Sequence, residues 1–77
     1  MSAFERIRTK YRQAKEEQKL SIVRDGINLF KRIYGSDERF KQHFQEAEEH
    51  LSEKDHSGAL SYLAFIDVIA NQKRPFH

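Results

Sequence analysis

Apolar residues recur along this chain at helical rather than strand spacing, and they fall into four groups. Phe4, Ile7, Tyr11 and Ala14 lie three or four positions apart and form a narrow stripe. Leu20, Ile22, Val23, Ile27, Leu29, Phe30, Ile33 and Tyr34 cover about half of a helix; at about 100° per residue this second set is rotated by roughly 120° from the first. Phe40, Phe44, Ala47 and Leu51 form a narrow third stripe. Between Ala59 and Ala70, ten of twelve positions are apolar, interrupted only by Ser61 and Asp67. No segment alternates as a half-buried strand would.

The residues between these groups set the boundaries. Ser2 with Glu5 three positions later is a capping-box signature, so the first helix starts near residue 3. The rotation between the first two stripes means either a bend near residues 17 to 21, the reading favoured, or one long helix that meets different neighbours along its length. Gly35 stands where a C-terminal cap belongs, and Ser36 followed by Asp37 and Glu38 is a good helix start, with carboxylates facing the positive end of the helix dipole. The stretch from Ser52 to Gly58 is a polar turn with Asp55 as the expected N-cap. The prediction is one all-α domain over residues 1–77. It is a small three- to four-helix bundle with helices at about 3–19, 20–34, 37–53 and 56–71 and a loose tail from about 72, and dimerisation is one way of completing it.

The fourth helix carries the main question. Ala59, Leu63, Ile66 and Ala70 share one face, and Phe65, Val68 and Ile69 share a second roughly 100° away, with Tyr62 between them. Ser57, Ser61, Ala64, Asp67 and Asn71 leave a thin small-and-polar strip, interrupted by Leu60. Two apolar faces need two sets of neighbours, and four short helices offer more apolar surface than they comfortably internalise. Contiguous exposed patches of that kind usually mark an interface. The Leu63/Ile66 face is expected to be core, and what covers Phe65 and Val68 decides the function. Gly26, inside the second apolar set, costs a helix about 1 kcal/mol relative to alanine and asks for compensation. That is a close helix crossing, between subunits or within one chain, or a turn at Asp25-Gly26.

Composition narrows the classes. A 77-residue chain makes one domain that buries only about 60% of its unfolded surface. Without cysteine it has no disulfide framework and no thiolate zinc site, which fits a cytoplasmic setting. The charged opening MSAFERIRTKYRQ does not read as a signal peptide, and an apolar run of twelve residues is too short to span a bilayer, so no membrane association is expected. The net charge of +2 hides a dipole: nine Lys/Arg against four Asp/Glu in residues 1–35, three against eight in 36–72, and Lys73 and Arg74 beyond.

Candidate chemistry is sparse. Arg8, Arg12, Lys15 and Lys19 follow a 4, 3, 4 spacing and form a basic ridge beside Tyr11. Such a ridge suits a phosphate backbone, with Lys73 and Arg74 as further candidate contacts, or it meets Glu46, Glu49 and Glu53 of the third helix. His43, Glu46 and His50 share a helical face but make a poor zinc set without further convergent ligands. His56 lies in a turn and His77 in the tail. Carboxylates line helical faces, no cysteine nucleophile or phosphate loop is present, and neither an enzyme nor a cofactor is expected. The stretch from Leu51 to Leu63 resembles the turn and second helix of a tetratricopeptide repeat, departing from it at Lys54, where the repeat's turn prefers glycine. The resemblance covers at most a third of the chain and implies a helical hairpin only.

The expected function is therefore a small non-enzymatic interaction module, an inhibitor, accessory subunit or adaptor that occupies a larger protein and also forms a homodimer. Tyr62, Phe65, Val68 and Ile69 would be its apolar anchors. The alternative is a nucleic-acid-binding helical protein using Arg8, Arg12, Lys15 and Lys19.

Overall fold

The computed structural model describes residues 2–71. It contains four α-helices, α1 (Ala3–Gln13), α2 (Glu16–Tyr34), α3 (Lys41–Ser52) and α4 (His56–Ala70), with a 3₁₀ turn (Glu38–Phe40) leading into α3 and no strand among the described residues. The expected loose tail from 72, with Lys73, Arg74 and His77, lies outside the described residues.

The starts of α1 and α4 are capped by side chains. The Ser2 hydroxyl accepts from the Glu5 amide at 3.2 Å, and the Asp55 carboxylate accepts from the Gly58 amide at 2.9 Å, as the spacing predicts. The first break, however, falls at Ala14 and Lys15 rather than at 17–21. Both residues are extended (ψ 153° and 156°), and they turn α2 back along α1. The physical reason is visible in the charges: basic Lys10 and Arg12 close the last turn of α1, and acidic Glu16 and Glu17 open the first turn of α2, each matched to its helix dipole. One straight helix could not bury both stripes.

At the second boundary Gly35 is the cap residue but is right-handed (φ −64°), so its conformational freedom is unused. Asp37, not Ser36, accepts the amide hydrogen bond, from Arg39 at 3.0 Å, and α3 starts four residues later than 37. The 3₁₀ turn makes the difference, because it drives Phe40 into the interior, where it is fully buried.

The α3–α4 connection is a Schellman turn. The Lys54 amide donates to the Leu51 carbonyl at 2.9 Å and the Asp55 amide to the His50 carbonyl at 2.8 Å, with Lys54 left-handed at φ 63°. This is the position where the repeat-like pattern prefers glycine. Replacing Lys54 by glycine removes the Cβ clash of about 1–2 kcal/mol but adds unfolded-chain entropy of about 0.5–1 kcal/mol. A net gain of roughly 0.5 kcal/mol is expected in urea unfolding; a loss would show that the lysine side chain contributes contacts worth more than the strain.

Successive helices run antiparallel. The buried set is Ile7, Val23, Ile27, Phe30, Phe40, Phe44, Ala47, Ala59, Leu63 and Ile66, drawn from every element. α2 and α4 meet across the centre, while α1 and α3 take the two outer corners and each touches both. Gly26 permits this. A Cβ there would stand 3.0 Å from Ile7 Cδ1 and 3.2 Å from Leu63 Cδ1, so the missing side chain is the place where α1, α2 and α4 converge. Of the readings open for Gly26, the structure selects a close crossing within one chain. Lys31 and Glu48 pair across α2 and α3.

Candidate functional site

Contacts with α1, α2 and α3 give α4 three covered sides and one open one. Ala59, Leu63 and Ile66 are completely buried and point toward α2, as expected of the core face. Tyr62 and Ile69 turn toward α3 and are half-buried. The Tyr62 ring is 5.4 Å from the His50 ring, 6.4 Å from His43 and 5.8 Å from Phe65. Tyr62 is thus a wall between α3 and the surface rather than a free anchor. Edge-on contacts continue inward from His43 to Phe40, Tyr34 and Phe30, so one aromatic chain runs from the core to the surface at Phe65.

The outward side holds Ser57, Ser61, Phe65 and Val68. Phe65 is 55% exposed and Val68 63% exposed. With Ile33 of α2, at 51%, these are the large apolar side chains left open to solvent among the described residues. Of the four expected anchors, the structure exposes Phe65 and Val68 and half-covers Tyr62 and Ile69. The fourth helix has no charged Asp, Glu, Lys or Arg except Asp67.

Asp67 is not on the solvent side where the small-and-polar strip would put it. It is half-buried on the flank facing α1, together with Ala64. Burial raises its pKa, Glu5 of α1 raises it further, and a hydrogen bond from Asn71 Nδ2 at 2.9 Å only partly offsets this. A carboxylate near a helix C-terminus is also opposed by the dipole. A raised pKa means the charge costs the folded state once it forms: the contribution of the neutral group is present below the ordinary aspartate range near pH 4 and is lost as pH rises through the raised value. Asp67→Asn is therefore expected to stabilise the fold at pH 7 by a few tenths to about 1 kcal/mol, a rise of a few degrees in Tm. The gain disappears at about pH 3, where Asp67 itself is neutral. A lower Tm at pH 7 would show that the carboxylate's bond from Asn71 outweighs its burial.

The basic ridge does not survive folding as one surface. Arg8 and Arg12 lie on α1, Lys15 is the extended residue between helices, and Lys19 belongs to α2. Lys19 is turned inward, 3.8 Å from Glu16 and 4.9 Å from the centre of the Tyr11 ring. The cause is the break at Ala14 and Lys15, which removes the continuous helix that the spacing assumed. Nor do these cations meet Glu46, Glu49 and Glu53, since α1 and α3 occupy opposite corners; Arg8, Arg12 and Lys15 form no ion pair among the described residues. Arg8, Arg12 and Lys15 remain exposed, with acidic Glu5 beside Asp67 and Glu16 beside His56, and on the α3 side Glu46 shares the depression at Tyr62 with Arg39, so both flanks of α4 carry charges of both signs.

One cluster escaped the sequence reading. The Tyr11 hydroxyl is hydrogen-bonded to His56 Nδ1 at 2.6 Å, and His56 Nε2–H donates to Glu16 Oε2 at 2.6 Å. The network ties α1, the start of α2 and the start of α4 together. Nothing in the spacing reveals a contact between positions 11 and 56; only the turn at Ala14 makes it. The hydrogen bond from His56 holds the Glu16 carboxyl below its ordinary value, so this contribution is present above the usual glutamate range near pH 4 and is lost as pH falls below it. Burial, and then Glu16, raise the Tyr11 phenol. A phenol kept protonated is a poor nucleophile, and the cluster reads as a staple.

His43, Glu46 and His50 do not converge, and no three metal-binding side chains come together among the described residues. His43 Nδ1 is buried without a partner. Shallow depressions occur beside Tyr62, about 300 Å³ with Arg39, Gln42, His43 and Glu46, and between α1 and α2, about 400 Å³ with Ala3, Arg6, Ile7, Lys10 and Leu29. No described helix is long and apolar enough to cross a membrane. No protein-family model, curated protein or solved structure matches this chain.

Proposed function

We propose that this chain is a small protein-interaction module, an inhibitor, accessory subunit or adaptor, that docks through the outer face of α4. The observation that carries this reading is the exposure of Phe65 and Val68 on a helix that is otherwise core on one side and walled by α1 and α3 on the others. Covering what remains exposed of these two side chains is worth about 1–2 kcal/mol each, which places them at the centre of an interface. The asymmetry of charge along the chain, basic in residues 1–35 and acidic in 36–72, supplies steering.

Phe65→Glu and Val68→Glu test this. Both positions face water in the free chain, so both variants are expected to keep their helical content and cooperative unfolding. They are expected to lose whatever association the wild type shows in light scattering or in capture by a binding protein. If both fold and leave mass and capture unchanged, the interface is not on α4.

A further inference from the structure

We infer that residues 72–77 fold back over the outer face of α4, with Phe76 laid on Val68 and Phe65 and with Lys73 and Arg74 drawn to Glu5 and Asp67, so that the chain supplies its own cover for this face. The contact does not depend on the docking reading; where that reading holds, a partner has to displace the segment.

Asn71, where the described chain stops, fixes the exit. At about 100° per residue it lies about 40° round the helix from Asp67 and about 60° from Val68 on the other side. The chain therefore leaves α4 between a half-buried carboxylate and an exposed apolar side chain. Pro75 opposes a simple continuation of the helix, since it has no N–H to donate and its ring disfavours helical backbone at residue 74.

The reach is sufficient. Phe76 is five residues beyond Asn71, up to about 17 Å of extended chain. Val68 lies about 4.5 Å and Phe65 about 9 Å back along the axis from Asn71. A turn through residues 72–74 still leaves Phe76 able to return to that level.

Charge selects this segment. Glu5 and Asp67 bring two like charges together where α1 passes the last turns of α4. Neither carboxylate forms an ion pair among the described residues, and Arg8, one turn further along α1, pairs with neither. The last turn of α4 also lacks a basic residue, whereas Lys10 and Arg12 close α1 and Lys31 and Arg32 close α2. Two cations just beyond residue 71 answer both needs, meeting the carboxylates and the negative end of the α4 dipole. Lys73 and Arg74 are those cations, and Phe76 is the one large apolar side chain in residues 72–77. The order also fits: the cations come first, beside Asp67, and the aromatic ring follows, where Val68 and Phe65 stand 63% and 55% exposed. One ring and two exposed ion pairs are weak against the entropy of ordering a segment, so the cover opens readily.

The test uses the full chain. In wild-type nuclear Overhauser spectra the Phe76 ring protons should show contacts to the Val68 methyl groups. Phe76→Trp gives the chain its only tryptophan. Acrylamide should quench its emission at least about threefold less than in the same variant unfolded in urea, the ratio for a contact populated about two-thirds of the time. Lys73→Glu with Arg74→Glu in that background, and separately Phe65→Ser with Val68→Ser, should each bring quenching of the folded protein to the unfolded level. None of these positions belongs to the buried set, so helical content and cooperative unfolding should persist in every variant.

Shielding that is constant from about 5 to about 500 µM and lost in both sets of variants supports the proposal, because a contact within one chain does not respond to concentration. Shielding that appears only as concentration rises belongs to a second copy and overturns it. Quenching at the unfolded level throughout, with no contact from Phe76 to α4, overturns it as well. Shielding unchanged by Lys73→Glu with Arg74→Glu overturns the role given to Glu5 and Asp67. The docking reading fails separately: if Phe65→Glu and Val68→Glu leave capture unchanged, that reading is lost while the wild-type contacts of Phe76 still stand.

Discussion

Phe40→Ala is expected to remove about 3–5 kcal/mol of folding free energy, measured as a lower urea midpoint at unchanged slope. Phe40 is fully buried, sits at the end of the 3₁₀ turn, and touches Tyr34 of α2 and His43 of α3 edge-on at 5.6 and 6.1 Å between ring centres. Its loss opens a cavity at the junction of two helices and leaves the short turn with nothing to hold it inward. A domain of this size has roughly 4–12 kcal/mol in total, so the variant stands near the unfolding threshold at 25 °C. A loss under about 1.5 kcal/mol would mean that the junction collapses around the missing ring.

Gly26→Leu is expected to cost about 1–3 kcal/mol by a different route, overpacking instead of cavity formation. Even a Cβ at position 26 would press on Ile7 at 3.0 Å and Leu63 at 3.2 Å, and an isobutyl group has no room between them. Leu63 is fully buried and fixed, so Ile7 and with it α1 must give way. Amide exchange should therefore quicken over residues 3–13 before it does so over α3 and α4, and the Tyr11–His56 bond should be lost with it. Gly26→Ala is the informative control. It gains up to about 1 kcal/mol of helix propensity and needs movements of only a few tenths of an ångström, which the depression of about 170 Å³ beside Ile7, Ile22 and Leu29 can absorb. A net change within about 1 kcal/mol is expected. If leucine were tolerated as well as alanine, the convergence of α1, α2 and α4 at Gly26 would not be a tight one.

These two sites mark how far the chain could be read without coordinates. The aromatic spacing placed Phe40 and Phe44 on a buried stripe correctly, because a 3.6-residue period is a property of local geometry. It could not distinguish a 3₁₀ entry from another α-turn, since both bring residues 40 and 44 to the same side. Gly26 announced a compensation but not its form, because the residues that crowd it come from 19 positions before and 37 after.

The α4 wheel was legible in part for the same reason. Buried Leu63 and Ile66 and exposed Phe65 and Val68 follow from periodicity once one side is assigned to the core. That Tyr62 is walled by His43 and His50, and that Asp67 faces α1 instead of water, depends on which helices stand on either flank. The basic ridge failed at one point, the extended pair Ala14 and Lys15, although the reversal of charge from Lys10 and Arg12 to Glu16 and Glu17 was a usable signal of a helix end followed by a helix start.

Local pattern alone settled that this chain is helical, where Ser2 and Asp55 cap it, and which stripes are buried, because capping and amphipathicity act over one or two turns. The tertiary structure decided the turn at Ala14, the crossing at Gly26, the Tyr11–His56–Glu16 staple and which helices stand on either side of Phe65 and Val68. Each of these joins side chains distant in sequence, and such contacts form only when burial of the whole apolar surface chooses among helix arrangements that the local pattern leaves nearly equal.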